Sequence, residues 1–188
     1  IECFSNQGAY ASHGHAVCAK GMGAFPQLYP CPNVEGDAYT VYTNRPTAGA
    51  MRGYGIPQAM FAVESHTDDV CKAIGMSPLE FRRKHLMPMG YVDGFSKNEL
   101  YTDTFNQCMD RGMAAIDYQR KYAEYRNQTG PIRKGIGLAV FWYNTAVWPI
   151  SLESSSCRMV LNQDGSLQFQ TGETEIGQGC DTAYSQMV

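Results

Sequence analysis

The sequence of 188 residues contains no hydrophobic run long enough to cross a membrane. Its longest apolar stretches, such as residues 137–143, fall far short of the roughly 20 residues that a membrane-spanning helix needs. The formal net charge is -3, and no basic stripe of the kind that nucleic-acid binders carry is present. We therefore expect a globular protein with no membrane partner and no nucleic-acid partner.

The seven cysteines are scattered along the chain and form no CxxC pair. Zinc and iron–sulfur sites use closely spaced cysteines, so the spacing gives no support for either. His13 and His15 would share one face of a strand, but further ligands are not evident. We predict reduced thiols in a cytoplasmic protein and assign no residue as a metal ligand.

The fold class predicted from the sequence is α+β. Strands are predicted from β-branched and aromatic runs at residues 38–43, 135–143, 157–162 and 166–171. Asp164 and Gly165 should form the turn of an antiparallel hairpin between the last two strands. The run at 135–143 is apolar throughout, which predicts a strand buried on both faces.

Helical spacing of apolar residues predicts a short helical piece at residues 16–20 and helices at 58–74, 78–86 and 102–127. Ser77 and Glu80 should form a capping box at the start of the helix at 78–86. The final residues, 181–188, resemble the first turns of an unfinished helix that Asp181 or Thr182 could cap. We therefore expect the chain to be an internal piece of a longer protein.

Two glycine-rich segments share one design. Loop 1 comprises residues 48–55 (AGAMRGYG) and loop 2 comprises residues 172–179 (GETEIGQG), and each places Gly-x-Gly directly before a predicted helix. Glycine permits close approach of the backbone, and a helix start offers unpaired N–H groups, so such segments can bind anionic groups. Arg52 adds a cation and Gln178 adds a donor and an acceptor. Each segment alone is equally compatible with an ordinary tight turn.

Six short segments follow one another along nearly the whole chain: residues 43–46 (TNRP), 48–58 (AGAMRGYGIPQ), 61–64 (FAVE), 77–84 (SPLEFRRK), 164–166 (DGS) and 174–179 (TEIGQG) with Thr182. In this order they resemble the molybdenum hydroxylase family of xanthine dehydrogenases and aldehyde oxidases. His85 replaces the asparagine that is usual in the family. The opening residues 5–10 (SNQGAY) and 13–15 (HGH) resemble bacterial xanthine and hypoxanthine dehydrogenases more than aldehyde oxidases.

The resemblance implies the molybdopterin-binding subunit, with residues 1–134 in a first molybdopterin-binding subdomain and residues 135–188 beginning a second. It implies hydroxylation of a purine with oxygen derived from water, and electron transfer to iron–sulfur clusters and FAD on other domains or subunits. The cofactor would be molybdenum–molybdopterin, with the cytosine dinucleotide form as an option. A nicotinate-type or aldehyde-type hydroxylase, or a non-catalytic domain that keeps the fold, is the alternative.

The resemblance also implies roles for individual residues. Arg52 would act in catalysis beside the molybdenum centre. Cofactor contacts would come from Ala50, Met51, Arg52, Gly53, Gly177, Gln178 and Gly179. Substrate contacts would come from Tyr54, Lys20 and Trp148, although Tyr54 could be ordinary aromatic core and Lys20 a solvated surface lysine.

Two departures from the family pattern matter. Carbon monoxide dehydrogenases carry a cysteine directly after the arginine of loop 1, and Gly53 stands there in this chain. The glutamate that serves as general base in the family has no match among Glu64, Glu153, Glu173 and Glu175. We expect that base outside this sequence, and we expect the isolated chain to be inactive.

Overall fold

The computed structural model describes residues 1–94, 97–143 and 154–188, so Trp148 lies outside the described residues. The chain divides into two units, residues 1–143 and 144–188. Within the described residues, no helix has the length and apolar character needed to span a membrane.

The first unit begins with a β-α-β arrangement. Strand β1 (Glu2–Gly8) and strand β2 (Asp37–Tyr42) pair in parallel, with Glu2 opposite Asp37 and Asn6 opposite Val41. Helix α1 (Gly14–Leu28) connects them and packs against the pair. Parallel strands need such a crossover because a tight turn cannot join them.

Helix α1 is longer than the sequence predicted. The short piece at 16–20 was expected to end at Gly21, but the helix continues through Gly21, Gly23 and Pro26 to Leu28. Gly21, Gly23 and Ala24 are buried, and a Cβ at Gly21 would lie 3.3 Å from the carbonyl oxygen of Gly55. Close packing against a neighbouring segment therefore outweighs the low helix propensity of glycine here.

The remaining helices of the first unit are α2 (Ile56–Ile74), α3 (Pro78–His85), α4 (Thr104–Ile116) and α5 (Tyr118–Tyr125). Gly75 ends α2 in the left-handed conformation, as the sequence predicted. The predicted cap of α3 is also confirmed, because the Ser77 hydroxyl accepts a hydrogen bond of 3.1 Å from the backbone N–H of Glu80.

The single helix predicted at 102–127 is wrong. Asp117 adopts φ 53° and ψ 50°, which ends α4 and starts α5. Aspartate tolerates this left-handed conformation better than most residues. The break brings Tyr118 to a buried position, where its ring stacks on Tyr122 with 5.4 Å between centroids.

The core of the first unit lies between α1, α2, α4 and the segment after α3. Its buried members are Ala24, Leu28, Ile56, Ala59, Met60, Val63, Met87 and Phe105. Burial of each of the six larger side chains stabilises the fold by about 1.5–3 kcal/mol.

The strand predicted at 135–143 is also wrong, because no strand forms there. Burial alternates along the segment: Ile136, Leu138, Val140 and Trp142 are half-buried, while the residues between them are exposed. One face packs on the core and the other faces solvent. The backbone N–H of Val140 donates to a side-chain carboxylate rather than to a neighbouring strand.

The second unit contains the predicted antiparallel hairpin and a helix. Strand β3 (Cys157–Leu161) pairs with β4 (Leu167–Thr171), and Gly165 has φ +81° in the turn. Helix α6 (Cys180–Met187) follows, with Gly179 as its N-cap residue, so the predicted caps Asp181 and Thr182 are wrong. The rings of Phe169 and Tyr184 lie 5.4 Å apart and join helix to hairpin.

Candidate functional site

The segment leading into loop 1 is fixed against the end of β1. Ala9 N–H donates to the Arg45 carbonyl oxygen at 3.0 Å, and Ala48 N–H donates to the Gln7 carbonyl oxygen at 2.8 Å. Gly8 has φ +83°, and a Cβ there would lie 2.2 Å from the Pro46 carbonyl oxygen. Only glycine permits this approach, so Gly8 sets the path along which the chain enters loop 1.

Loop 1 ends in three consecutive residues with positive φ. Gly53, Tyr54 and Gly55 have φ angles of 93°, 50° and 91°, and the N–H of Tyr54 donates to the Met51 carbonyl oxygen at 2.7 Å. A left-handed conformation is unusual for a bulky aromatic residue and costs about 1–2 kcal/mol. Such strain persists where surrounding contacts impose it, and it concentrates at binding and catalytic sites.

Loop 1 presents side chains to solvent. Ala50, Met51 and Arg52 are exposed, with 68% exposure at Met51, while Gly53 and Tyr54 are half-buried. The loop leads directly into α2, whose N-cap Gly55 makes no side-chain cap. An exposed cation beside a helix start forms a surface that suits an anionic group.

Lys20 and Tyr54, two residues predicted from the sequence to contact substrate, lie together. The Lys20 ammonium is 5.8 Å from the centroid of the Tyr54 ring and 4.9 Å from that of Tyr143. Both distances are within the range of cation–π attraction. Lys20 is half-buried, so it is not simply a solvated surface lysine. Sequence reasoning missed Tyr143, because nothing in its neighbourhood indicates a contact with the distant Lys20.

A buried ion-pair network holds α2, α3 and the segment 138–143 together. Arg82 is fully buried, and its Nε donates to Glu64 Oε2 at 2.9 Å while its Nη1 donates to Asp68 Oδ1 at 3.0 Å. Its Nη2 lies 2.8 Å from Glu64 Oε2 without forming an aligned hydrogen bond, so that contact is an electrostatic one. Burial works to lower the pKa of Arg82, but the nearby Glu64 and Asp68 carboxylates raise it overall.

Glu64 receives two further donors. The Tyr29 hydroxyl donates to Oε1 at 2.5 Å and the Val140 N–H donates to Oε2 at 2.7 Å. Burial and the hydrogen bond to Glu64 raise the pKa of Tyr29, so this hydroxyl stays protonated as a donor. Sequence reasoning found Glu64 and Arg82 only as parts of resembling segments and did not predict that they pair.

Loop 2, in the second unit, satisfies its own backbone donors. Glu175 Oε1 accepts from the N–H groups of Gly177 at 2.6 Å and Gly179 at 3.1 Å, and Oε2 accepts from Asp181 N–H at 3.3 Å. These bonds, that from Gly179 foremost, lower the pKa of Glu175 to about 2. The carboxylate thus occupies the anion-binding position at the start of α6.

Gln178 is also bonded within loop 2. Its Oε1 accepts from Ile176 N–H at 2.7 Å and its Nε2 donates to the Thr174 carbonyl oxygen at 2.8 Å. Ligand atoms of Glu175, Cys180 and Asp181 lie within 4.8 Å of one another. A cation there would compete with the three N–H donors for Glu175.

Comparison with known proteins identifies the family. Two family models, each described as a molybdopterin cofactor-binding domain, match residues 1–86 and 111–188. The putative xanthine dehydrogenase molybdenum-binding subunit XdhA of Escherichia coli (strain K12) is 42% identical over 188 residues, which is 100% of this chain and 25% of that protein. The chain therefore spans about a quarter of this relative's length.

Two further comparisons indicate the same family. The nicotinate dehydrogenase large molybdopterin subunit of Eubacterium barkeri is 44% identical over 82 residues, covering 44% of this chain and 19% of that protein. The crystal structure of the aldehyde oxidoreductase from Desulfovibrio desulfuricans ATCC 27774 superposes with a TM-score of 0.72 at 25% identity, covering 89% of this chain and 18% of that one. The chain belongs to the molybdopterin cofactor-binding family of molybdenum hydroxylases and is xanthine dehydrogenase-like.

Proposed function

We propose that this chain is part of a molybdenum hydroxylase subunit that hydroxylates a purine such as xanthine or hypoxanthine with oxygen derived from water. The observation that carries the proposal is loop 1, in which Arg52 is exposed and Tyr54 lies against the Lys20 ammonium. The identity to a xanthine dehydrogenase subunit across the whole chain supports the purine class.

Loop 1 fits the anionic part of a molybdenum–molybdopterin cofactor. Arg52 supplies a permanent positive charge with a planar set of donors, and the start of α2 adds the positive end of a helix dipole. The contacts proposed for this loop come from Ala50, Met51, Arg52 and Gly53. When bound, the cofactor supplies the redox chemistry of hydroxylation, while the protein binds and orients it.

Loop 2 fits the same cofactor less directly, because its N–H donors are already bonded to Glu175. We propose that Gly177, Gln178 and Gly179 contact the cofactor, with the Gln178 amide exchanging its present bond to Thr174 or Ile176 for one to the cofactor. Thr174 and Ile176 are exposed, so water can replace the amide at the backbone group that is released, and the net free-energy cost of the exchange is small.

The substrate would lie beside Tyr54 and Lys20, and Trp148 is proposed as a further contact. Tyr54 offers a ring face for a flat heteroaromatic substrate. The Lys20 ammonium would stabilise negative charge that develops on substrate oxygen or nitrogen. Arg52 is the proposed catalytic residue of this chain, and the general base is assigned to no residue within it.

The proposal includes partners and an arrangement of subdomains. Electrons would pass to iron–sulfur clusters and FAD on other domains or subunits, in a cytoplasmic enzyme whose cofactor could carry a cytosine dinucleotide. Residues 1–134 would belong to a first molybdopterin-binding subdomain and residues 135–188 to a second.

Nicotinate-type and aldehyde-type hydroxylation are the second candidates. They are favoured by the identity to a nicotinate dehydrogenase subunit and by the structural likeness to an aldehyde oxidoreductase. A non-catalytic domain that keeps the fold is the alternative outside enzymes.

The complete enzyme, matured with its partner subunits, tests these functions. We expect it to contain molybdenum and a pterin and to turn over xanthine or hypoxanthine faster than nicotinate or an aldehyde. Preference for nicotinate or an aldehyde would replace the purine assignment. Absence of both molybdenum and pterin from a matured preparation would contradict the enzyme as a whole.

A further inference from the structure

The rings of Tyr54 and Tyr143 both lie against the Lys20 ammonium. The family resemblance gives Tyr143 no role. The Lys20 ammonium lies 4.9 Å from the Tyr143 centroid, closer than the 5.8 Å to the Tyr54 centroid. Two ring faces attract one ammonium more strongly than one does, because each contributes its own quadrupole. Both rings therefore restrain the position of the Lys20 ammonium.

The buried network anchors the segment that carries Tyr143. Val140, three residues earlier, donates its N–H to Glu64 Oε2 at 2.7 Å, and Glu64 is held in turn by the fully buried Arg82. Val140 and Trp142 pack against the core. The segment that carries Tyr143 is therefore anchored on both sides of Phe141, which is 71% exposed.

We propose that Tyr143 is a positioning residue that sets substrate specificity: its ring, together with that of Tyr54, holds the Lys20 ammonium where it meets an acceptor oxygen of the substrate. The inference rests on the proposed function, because it takes Lys20 and Tyr54 as parts of the substrate site. It predicts a selective effect, since only substrates with an acceptor opposite Lys20 benefit from its fixed position.

The test uses the complete, molybdenum-loaded enzyme and three variants: Tyr143→Leu, Tyr143→Phe and the matched control Phe141→Leu. Tyr143 is 41% exposed, so its truncation opens no closed cavity. Two quantities are measured. The first is kcat/KM for xanthine relative to kcat/KM for benzaldehyde. The second is the rate at which a small amine-reactive reagent modifies Lys20, followed by mass spectrometry without substrate.

We expect Tyr143→Leu to lower the xanthine-to-benzaldehyde ratio about 5-fold, as loss of one cation–π contact implies. Lys20 should be modified faster in this variant. Tyr143→Phe keeps the ring face and should behave as the wild type in both measurements, as should Phe141→Leu. A general structural defect would lower both kcat/KM values together and leave the ratio unchanged.

An unchanged ratio for Tyr143→Leu, in an enzyme whose wild type oxidises xanthine, would overturn the proposal. If the wild type contains molybdenum but oxidises no purine, the proposed function fails separately. The rate of Lys20 modification then tests the positioning role of Tyr143. An unchanged rate in Tyr143→Leu would show that Tyr143 does not hold Lys20, and a faster rate would support the positioning role.

Discussion

Arg82 is a fully buried cation, and two carboxylates of α2 balance its positive charge. Glu64 and Asp68 lie four residues apart on α2, so both face α3 and can reach the same guanidinium. Glu64 also accepts the Val140 N–H and the Tyr29 hydroxyl, and removing Arg82 would leave this carboxylate buried without its cation.

Arg82→Met should therefore lower the free energy of unfolding of the full-length subunit by about 3–5 kcal/mol. Arg83→Met is the matched control, because Arg83 is the next residue and pairs with Asp110 at the surface. Loss of that exposed pair should cost at most about 1 kcal/mol. Denaturant unfolding measures both, and equal losses for the two variants would show that burial of the pair does not matter.

Arg52 tests the catalytic assignment at the same scale. Arg52→Ala in the complete enzyme should keep the fold and lose about 100-fold or more in kcat/KM, as expected when a group stabilising developing charge is removed. The side chain is exposed, so stability should not change. Turnover assays and thermal unfolding are the measurements, and wild-type turnover by the variant would remove Arg52 from the site.

At the scale of elements, the start of α2 is placed by close contact with α1. Gly55 has φ +91°, and a Cβ there would lie 2.6 Å from the Val17 carbonyl oxygen. Gly21 allows the reciprocal approach from α1. The pair of glycines brings the backbone of loop 1 against α1, which is how Tyr54 reaches Lys20.

Gly55→Ala should destabilise the subunit by roughly 1–3 kcal/mol, because the new methyl meets backbone and the conformation is strained. Gly112→Ala is the opposite case. Gly112 lies inside α4, and a Cβ there would meet nothing within 4 Å, so alanine should stabilise by about 0.5–1 kcal/mol. Denaturant unfolding measures the stability of both variants. An unchanged free energy of unfolding in Gly55→Ala would show that α1 and α2 can move apart at no cost.

Loop 2 and the start of α6 depend on ionised Glu175. Its pKa is lowered from 4.5 to about 2, so the bonds to Gly177, Gly179 and Asp181 favour folding most fully above pH 4.5. This contribution is lost as the pH falls from 4.5 to about 2.

Glu175→Gln should accelerate amide hydrogen exchange at residues 177–181 at neutral pH, since a neutral amide is a weaker acceptor than a carboxylate. Asp164→Asn, in the hairpin turn where Asp164 accepts from Ser166, is the control and should leave residues 177–181 unaffected. Hydrogen exchange with mass spectrometry on the full-length subunit measures this. Unchanged exchange in Glu175→Gln would mean that other contacts hold the loop.

At the scale of the whole molecule, the two glycine-rich loops belong to different units, residues 1–143 and 144–188. Their closure on a single cofactor stays a prediction, as does the subdomain boundary after residue 134. Residues 135–143 lie within the first unit, and Val140 and Trp142 pack on its core beside α2.

Much of the architecture followed from local signals. The N-terminal cap at Ser77, the glycine that ends α2 and the Asp-Gly hairpin turn were predicted correctly, because each depends on residues close together in sequence. The family was likewise recognisable from ordered motifs. Helix α1 was predicted too short because its glycines are buried by long-range packing, and the break at Asp117 was missed because one left-handed residue interrupts an otherwise helical pattern.

The sequence by itself determined the family, the mixed α+β class and the two glycine-rich loops, since these are written in short stretches of contiguous residues. Only the tertiary structure decided that Lys20 meets Tyr54 and Tyr143, that Arg82 links two helices through Glu64, and that Glu175 binds the amides of loop 2. The Lys20 and Arg82 contacts join residues that are far apart in sequence, so they depend on the tertiary fold. The Glu175 contacts depend on the orientation of its carboxylate, which residue spacing does not specify.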